Sequence, residues 1–143
     1  MKMNPVVHFE MPAEDSKRMA DFYGKAFGWQ TQILGPEMGN YVVVSTTENG
    51  ENGMPKNPGA INGGFYQKTA DPMSHAPSVV IAVDDIHEAM KKVEAEGGEI
   101  IGGSQGKNEP DNIPGVGLYM AFRDTEGNRV SLLQPAPRME VHP

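Results

Sequence analysis

The chain repeats itself at an interval of seventy residues. The segment from Val6 to Trp29, VVHFEMPAEDSKRMADFYGKAFGW, returns as PSVVIAVDDIHEAMKKVEAEGGEI from Pro77 to Ile100, with Asp85 matching Asp15 and Gly98 matching Gly28. A strand-helix unit of this size cannot bury a core alone, so two copies are expected to complete each other. Residues at matching positions of the two copies are therefore the first place to look for a site.

The 143 residues fit a single domain, with module one over about 4–68, module two over about 77–136 and the proline-bearing segment Lys68 to Pro77 between them. Without cysteine, disulfides, thiol nucleophiles and cysteine-zinc sites are excluded. A formal charge of −7 with scattered lysines and arginines argues against nucleic acid as a partner. No run of eighteen apolar residues occurs and MKMNPVVHF does not read as a signal peptide, so neither membrane nor export is expected and the cytoplasm is the expected location.

Period-two alternation of Val7, Phe9 and Met11 with His8 and Glu10 predicts a strand with two different faces. From Ser16 the period changes, and Met19, Phe22, Tyr23, Ala26 and Phe27 form an apolar helical stripe that Asp15 caps and Gly28 ends. Strands follow near Gln30 to Leu34, Tyr41 to Ser45 and Ala60 to Gln67, with a Gly/Asn-rich hairpin loop from Glu48 to Gly59. The second copy repeats the order. Val79, Ile81 and Val83 alternate in a strand, and Ile86, Ala89, Met90 and Val93 share one helix face. Strands at Glu99 to Ile101, Leu118 to Arg123 and Arg129 to Gln134 then flank a long glycine-rich loop and the turn DTEGN, before a tail, PAPRMEVHP, expected to fray.

Taken in order, HFEMPAEDSKRMADFYGKAFGW, INGGFY, SVVIAVDDIHEAMKKVEAEGGEII and PGVGLYMAFRDTEGNRVSLLQP resemble the vicinal-oxygen-chelate superfamily of glyoxalases, bleomycin-resistance proteins and extradiol dioxygenases. The resemblance runs from about Val6 to Pro135. It implies an α+β fold in which two tandem βαβββ modules build an eight-stranded, cup-shaped mixed sheet with the helices on its convex side. Strand parity agrees: if Val7, Phe9 and Met11 lie under one helix and Val79, Ile81 and Val83 under the other, then His8, Glu10, Ser78, Val80 and Ala82 face the cup.

Metal-dependent members of the superfamily hold a divalent ion with a residue from the first and the last strand of each module. The resemblance puts His8, one of Asn62, Gly63 and Gly64, Ser78 and Ser131 at those four places. One histidine beside two serines and a glycine pair does not make a standard centre, which needs about three ligands. No cofactor is therefore expected, and a divalent ion, if bound, would take His8. The expected site has His8 and Glu10 as candidate catalytic residues and Tyr41, Ser78, Val80, Tyr119, Ser131 and Leu133 as ligand-binding residues.

Each of these residues has two readings. His8 is a base or residual ligand, or a structural histidine. Glu10 orients His8 and raises its pKa, or is a solvated charge on the rim. Gly63-Gly64 leaves room for a ligand, or bends the strand. The loop Ile113 to Gly117 is a flap or only a turn. Trp29, Tyr41 and Tyr119 stack on an aromatic ligand or pack, while His75, His87 and His142 are expected in solvent.

The leading expectation is a protein that binds a small organic molecule without the usual metal, either sequestering it as the bleomycin-resistance branch does or using His8 in acid-base chemistry. The rivals are a metal-dependent lyase, isomerase or dioxygenase with non-standard ligands such as His8 and Glu10, and a subunit that has kept an interface but lost chemistry. A homodimer is expected, because the exposed edges of such a sheet call for cover.

Overall fold

The computed structural model describes residues 2–137; the tail from Arg138, with His142, lies outside the described residues. The fold is α+β, and its backbone contacts divide into two units, residues 7–79 and residues 2–6 with 80–137. The boundary between these units falls inside a strand, between residues 79 and 80. The residues before the first strand belong with the second unit, where the Pro5 carbonyl accepts from Ala82 N at 3.0 Å and Lys2 pairs with Asp84 at 2.8 Å.

The first unit contains β1 (Val6–Ala13), α1 (Ser16–Phe27), β2 (Gln30–Ile33), β3 (Val42–Ser45) and β4 (Asn62–Gln67). Its strands run in the order β2-β3-β4-β1, antiparallel except for the parallel pair β1·β4. Helix α1 starts where Asp15 accepts from Arg18 N and stops at Gly28, whose φ of 75° suits a residue with no Cβ. Ala13, Val42, Val44 and Phe65 form the core, with Phe9, Met11, Met19, Tyr23 and Trp29 packed against it. One face of the sheet is therefore committed to the helix, and His8, Glu10, Val43 and Gly64 alternate onto the other.

The helical stripe is narrower than its period suggested. Met19 and Tyr23 pack inward, but Ala26 is exposed, as are Phe22 at 58% and Phe27 at 65%. Both phenylalanines lie beside other rings on the helix, Phe22 edge-on to Tyr23 with centroids 5.0 Å apart. Four strands offer α1 one contact line, and the flanks of the stripe fall outside it.

The second unit follows the same plan with β5 (Ser78–Ala82), α2 (Ile86–Ala95), β6 (Glu99–Gly102), β8 (Gly117–Arg123) and β9 (Arg129–Pro135), and an added strand, β7 (Asp111–Ile113). β5 runs parallel to β9, and β8 lies antiparallel to β9, β6 and β7. Val83, Ile86, Met90, Ile100, Met120, Phe122 and Leu132 make its core. The described residues hold nine strands where eight were expected. β7 arises inside the glycine-rich loop, where Asp111 accepts from Ser104 N and Oγ and the segment pairs with β8. The stretch Ile113 to Gly117 is accordingly the tip of the β7-β8 hairpin, closed by Val116 N donating to the Ile113 carbonyl. The stretch is thus a turn in its local hydrogen bonding.

Candidate functional site

Strand register decides which residues meet. In the first module Glu10 lies beside Gly64 and His8 beside Asn62, and in the second Val80 lies beside Ser131. Glu10 and Val80 are matching members of the repeat, so Gly64 is the counterpart of Ser131 and the choice among Asn62, Gly63 and Gly64 falls on Gly64. The antiparallel neighbours extend the match. Val43 lies beside Gly64 and Ala121 beside Ser131, which makes Tyr41 and Tyr119, two residues earlier on their chains, counterparts as well.

In the first module this register assembles a polar cluster. Tyr41 Oη donates to Glu10 Oε2 at 3.2 Å, and His8 Nε2 lies 3.2 Å from the same Oη. Gly64 is what permits it, because a Cβ there would run into the hydroxyl end of the Tyr41 ring. A Cβ at Gly63 would likewise meet the Phe9 ring on the helix side. The glycine pair thus seats two rings of the protein itself, and the reading of bare backbone left open for a ligand gives way. Glu10 is only 7% exposed, so it is not a solvated rim charge. A buried carboxylate needs partners, and the phenol supplies one.

Burial pushes the pKa of His8 below its ordinary 6.5, and the charge of Glu10 offsets only part of this. The net direction is opposite to the one expected from the carboxylate alone, since loss of solvent outweighs the charge. The sign for stability follows. Between the folded pKa and 6.5 the unfolded chain binds more protons at this residue, so His8 leaves stability intact above about 6.5 and lowers it as pH falls below that value. Melting temperatures from pH 8 to 5 should therefore fall more steeply for the native chain than for His8→Gln. Parallel curves would show that His8 takes no part in the acid response.

The second module holds a simpler pair. Tyr119 Oη and Ser131 Oγ are 2.7 Å apart, Ser131 is fully buried, and Val80 is 2% exposed. Ser131 and Val80 therefore present no open surface, whereas Leu133 and Ala82 are half-buried. Replacing Ser131 by alanine should cost about 0.5–1.5 kcal/mol, the net value of one neutral hydrogen bond, read as a lower urea midpoint. An unchanged midpoint would mean that the bond between Tyr119 and Ser131 adds nothing to stability.

Ser78, at the place matching His8, has a buried hydroxyl with no hydrogen-bond partner among the described residues. It borders an apolar cavity of about 520 Å³ lined also by Phe9, Met11, Trp29, Thr46, Ile61, Pro77 and Val79. Phe9 and Met11 place this cavity on the face of β1 opposite His8. Trp29 stacks on Tyr23 with centroids 4.6 Å apart, and His75 and His87 are exposed.

The places that the resemblance implies for ligands would hold His8 and Gly64 in the first module and Ser78 and Ser131 in the second: one imidazole, no carboxylate, two hydroxyls. Among the described residues no three His, Cys, Asp or Glu side chains gather to hold a metal ion. This donor set does not fit a standard divalent centre. None of the helices described is long and apolar enough to cross a membrane.

Comparison with known proteins places the fold. Residues 6–132 match the family model of the Glyoxalase/Bleomycin resistance protein/Dioxygenase superfamily. The protein named "Putative glyoxylase CFP32" in Mycobacterium bovis is 37% identical over 70 residues, covering 47% of this chain and 24% of that protein, and its namesake in Mycobacterium tuberculosis matches to the same extent. The match spans about a quarter of the length of those relatives. Among solved structures, the hypothetical protein BH1468 from Bacillus halodurans superposes with a TM-score of 0.67 at 15% identity, covering 97% of this chain and 99% of that one. A methylmalonyl-CoA epimerase of Streptomyces coelicolor, in complex with 2-nitronate-propionyl-CoA, gives 0.65 at 12% identity and 94% and 96% coverage.

Proposed function

The chain belongs to the glyoxalase, bleomycin resistance protein and dioxygenase superfamily, and we propose from that premise that it binds a small organic molecule beside His8 without the divalent centre of its metal-dependent relatives. One observation carries the reading. The imidazole at the first ligand position is hydrogen-bonded to Tyr41, and that phenol lies over Gly64, where a carboxylate would otherwise complete the half-site. Electrostatic and hydrogen-bonding groups remain available for an organic ligand, since His8 and Tyr41 are only half-buried. Partial exposure of an imidazole next to a buried carboxylate suits recognition or proton transfer.

The protein is further proposed to work as a cytoplasmic homodimer, with the exposed strand β2 among the edges that a second copy would cover. Neither the glyoxylase name of the mycobacterial relatives nor the epimerase structure assigns a substrate here.

Elemental analysis of the purified chain, paired with a thermal-shift screen of divalent ions and of small aromatic and carbonyl compounds, tests the proposal. The expected outcome is metal well below stoichiometric, and stabilisation by an organic compound that His8→Ala weakens. A ligand at a hundred times its Kd should add about 2.7 kcal/mol. Stoichiometric zinc, nickel, iron or manganese, lost on His8→Ala, would instead establish the metal-dependent alternative.

A further inference from the structure

We infer that the Glu10-Tyr41-His8 chain of hydrogen bonds fixes one tautomer of His8, with its proton on Nε2 and a bare lone pair on Nδ1, and that the site therefore takes a neutral small molecule that offers an O–H or N–H donor. The inference rests on the reading of the site as a small-molecule pocket and names the chemistry that it recognises.

Three side chains share their protons in one direction. A phenol has a single proton, and Tyr41 gives it to Glu10, whose carboxylate oxygen can only accept. The Tyr41 oxygen then has only lone pairs to offer His8, so the contact at 3.2 Å requires an N–H on Nε2. A neutral imidazole carries one proton, and with that proton on Nε2 the other nitrogen must be an acceptor. Burial of His8 favours the neutral ring, and an ordinary histidine is neutral above pH 8 in any case.

The phenol is held in place to do this. The Tyr41 ring end occupies the space over Gly64, and the parallel register keeps Gly64 beside Glu10. Glu10 is almost fully buried, which makes loss of the hydrogen bond from Tyr41 costly. No partner for His8 Nδ1 is found among the described residues, and the residue is half-buried. Tyr41 is a positioning residue in this scheme, and His8 is the group that meets the ligand.

The tautomer is measurable without any ligand. Two-bond proton-nitrogen correlation spectra of the full chain labelled with ¹⁵N-histidine, at pH 8, distinguish protonated from bare ring nitrogens, and the four histidines are sorted by the signal missing in His8→Gln. The expected spectrum shows His8 as a single Nε2–H form, and Tyr41→Phe, which removes the oxygen but keeps the ring, should turn it into a mixture of both forms. An Nδ1–H form in the native chain, or a tautomer indifferent to Tyr41→Phe, overturns the inference whatever the protein binds. Phenol and anisole, the same ring with and without a donor, then test the ligand class. Phenol should move the His8 Nδ1 resonance toward the protonated range and anisole should not. Equal shifts from both, or none from phenol, overturn donor recognition, while a confirmed tautomer would leave the proton arrangement standing.

Discussion

Phe65→Ala should lower the stability of the chain by about 3–5 kcal/mol, the range for emptying the place of a buried phenylalanine. Phe65 has no exposed surface and sits among Ala13, Val42 and Val44, with the Tyr23 ring 5.6 Å away by centroids. Its position in β4 makes it the pin between the sheet and α1. Small domains have roughly 5–15 kcal/mol in total, so the variant should stand close to unfolding. Urea titration is the direct measurement, with Val43→Ala as control, because Val43 is 39% exposed on the other face and its truncation should stay within about 0.5 kcal/mol. The consequence reaches the site. Phe65 follows Gly64, and a β4 loosened from its core would lose the register that sets Tyr41 over Gly64, so the His8 resonances of a folded Phe65→Ala should broaden. A loss below about 1 kcal/mol would mean that the cavity collapses or that the core has been wrongly located.

How far the sequence carries can be seen at individual residues. Asp15 and Gly28 announce both ends of α1 because caps act locally, through a side chain and a φ angle. The alternation in β1 is equally legible, since the burial of Phe9 and Met11 follows from strand parity. β7 was not, because Asp111, Asn112 and Ile113 have no alternation, and the strand exists only through pairing with β8 and the contact of Asp111 with Ser104. Phe22 and Phe27 fit a helical period but not the width of the surface that α1 covers. Tyr41 was visible as a ligand-binding candidate, whereas its bonds to His8 and Glu10 depend on non-local register. The available signal was the match of Tyr41 with Tyr119, and it becomes readable only when Gly64 is paired with Ser131. Burial reversed the expected direction for the His8 pKa, a quantity that no local pattern encodes.

Gly64→Glu should be the most disruptive change at the site and, in the right background, the most informative. The backbone of Gly64 is not in the left-handed region, so the penalty does not come from the main chain. It comes from Tyr41, whose ring end occupies the space that any Cβ would need. Forcing the ring out should cost about 1–3 kcal/mol for overpacking. Losing its bond to the buried Glu10 should cost about 1.5–3 kcal/mol more, as expected for a hydrogen bond to a charged group, and the introduced carboxylate would face Glu10 as a like charge. Tyr41→Ala alone should show the second penalty without the first. In the double variant the truncated tyrosine vacates the space, so the two changes together should cost less than their sum, a coupling that a double-mutant cycle measures directly. The double variant also brings a second carboxylate beside Glu10 and His8, giving three donors on one face of neighbouring strands. Zinc or manganese should then raise its melting temperature while leaving the native chain unmoved, and adding His8→Ala should abolish the gain, because binding free energy at such a site becomes folding free energy. Additive penalties with no response to either ion would show that residue 64 does not stand where metal-dependent relatives carry their ligand. The vacancy filled by Tyr41 would then be a packing arrangement with no bearing on metal.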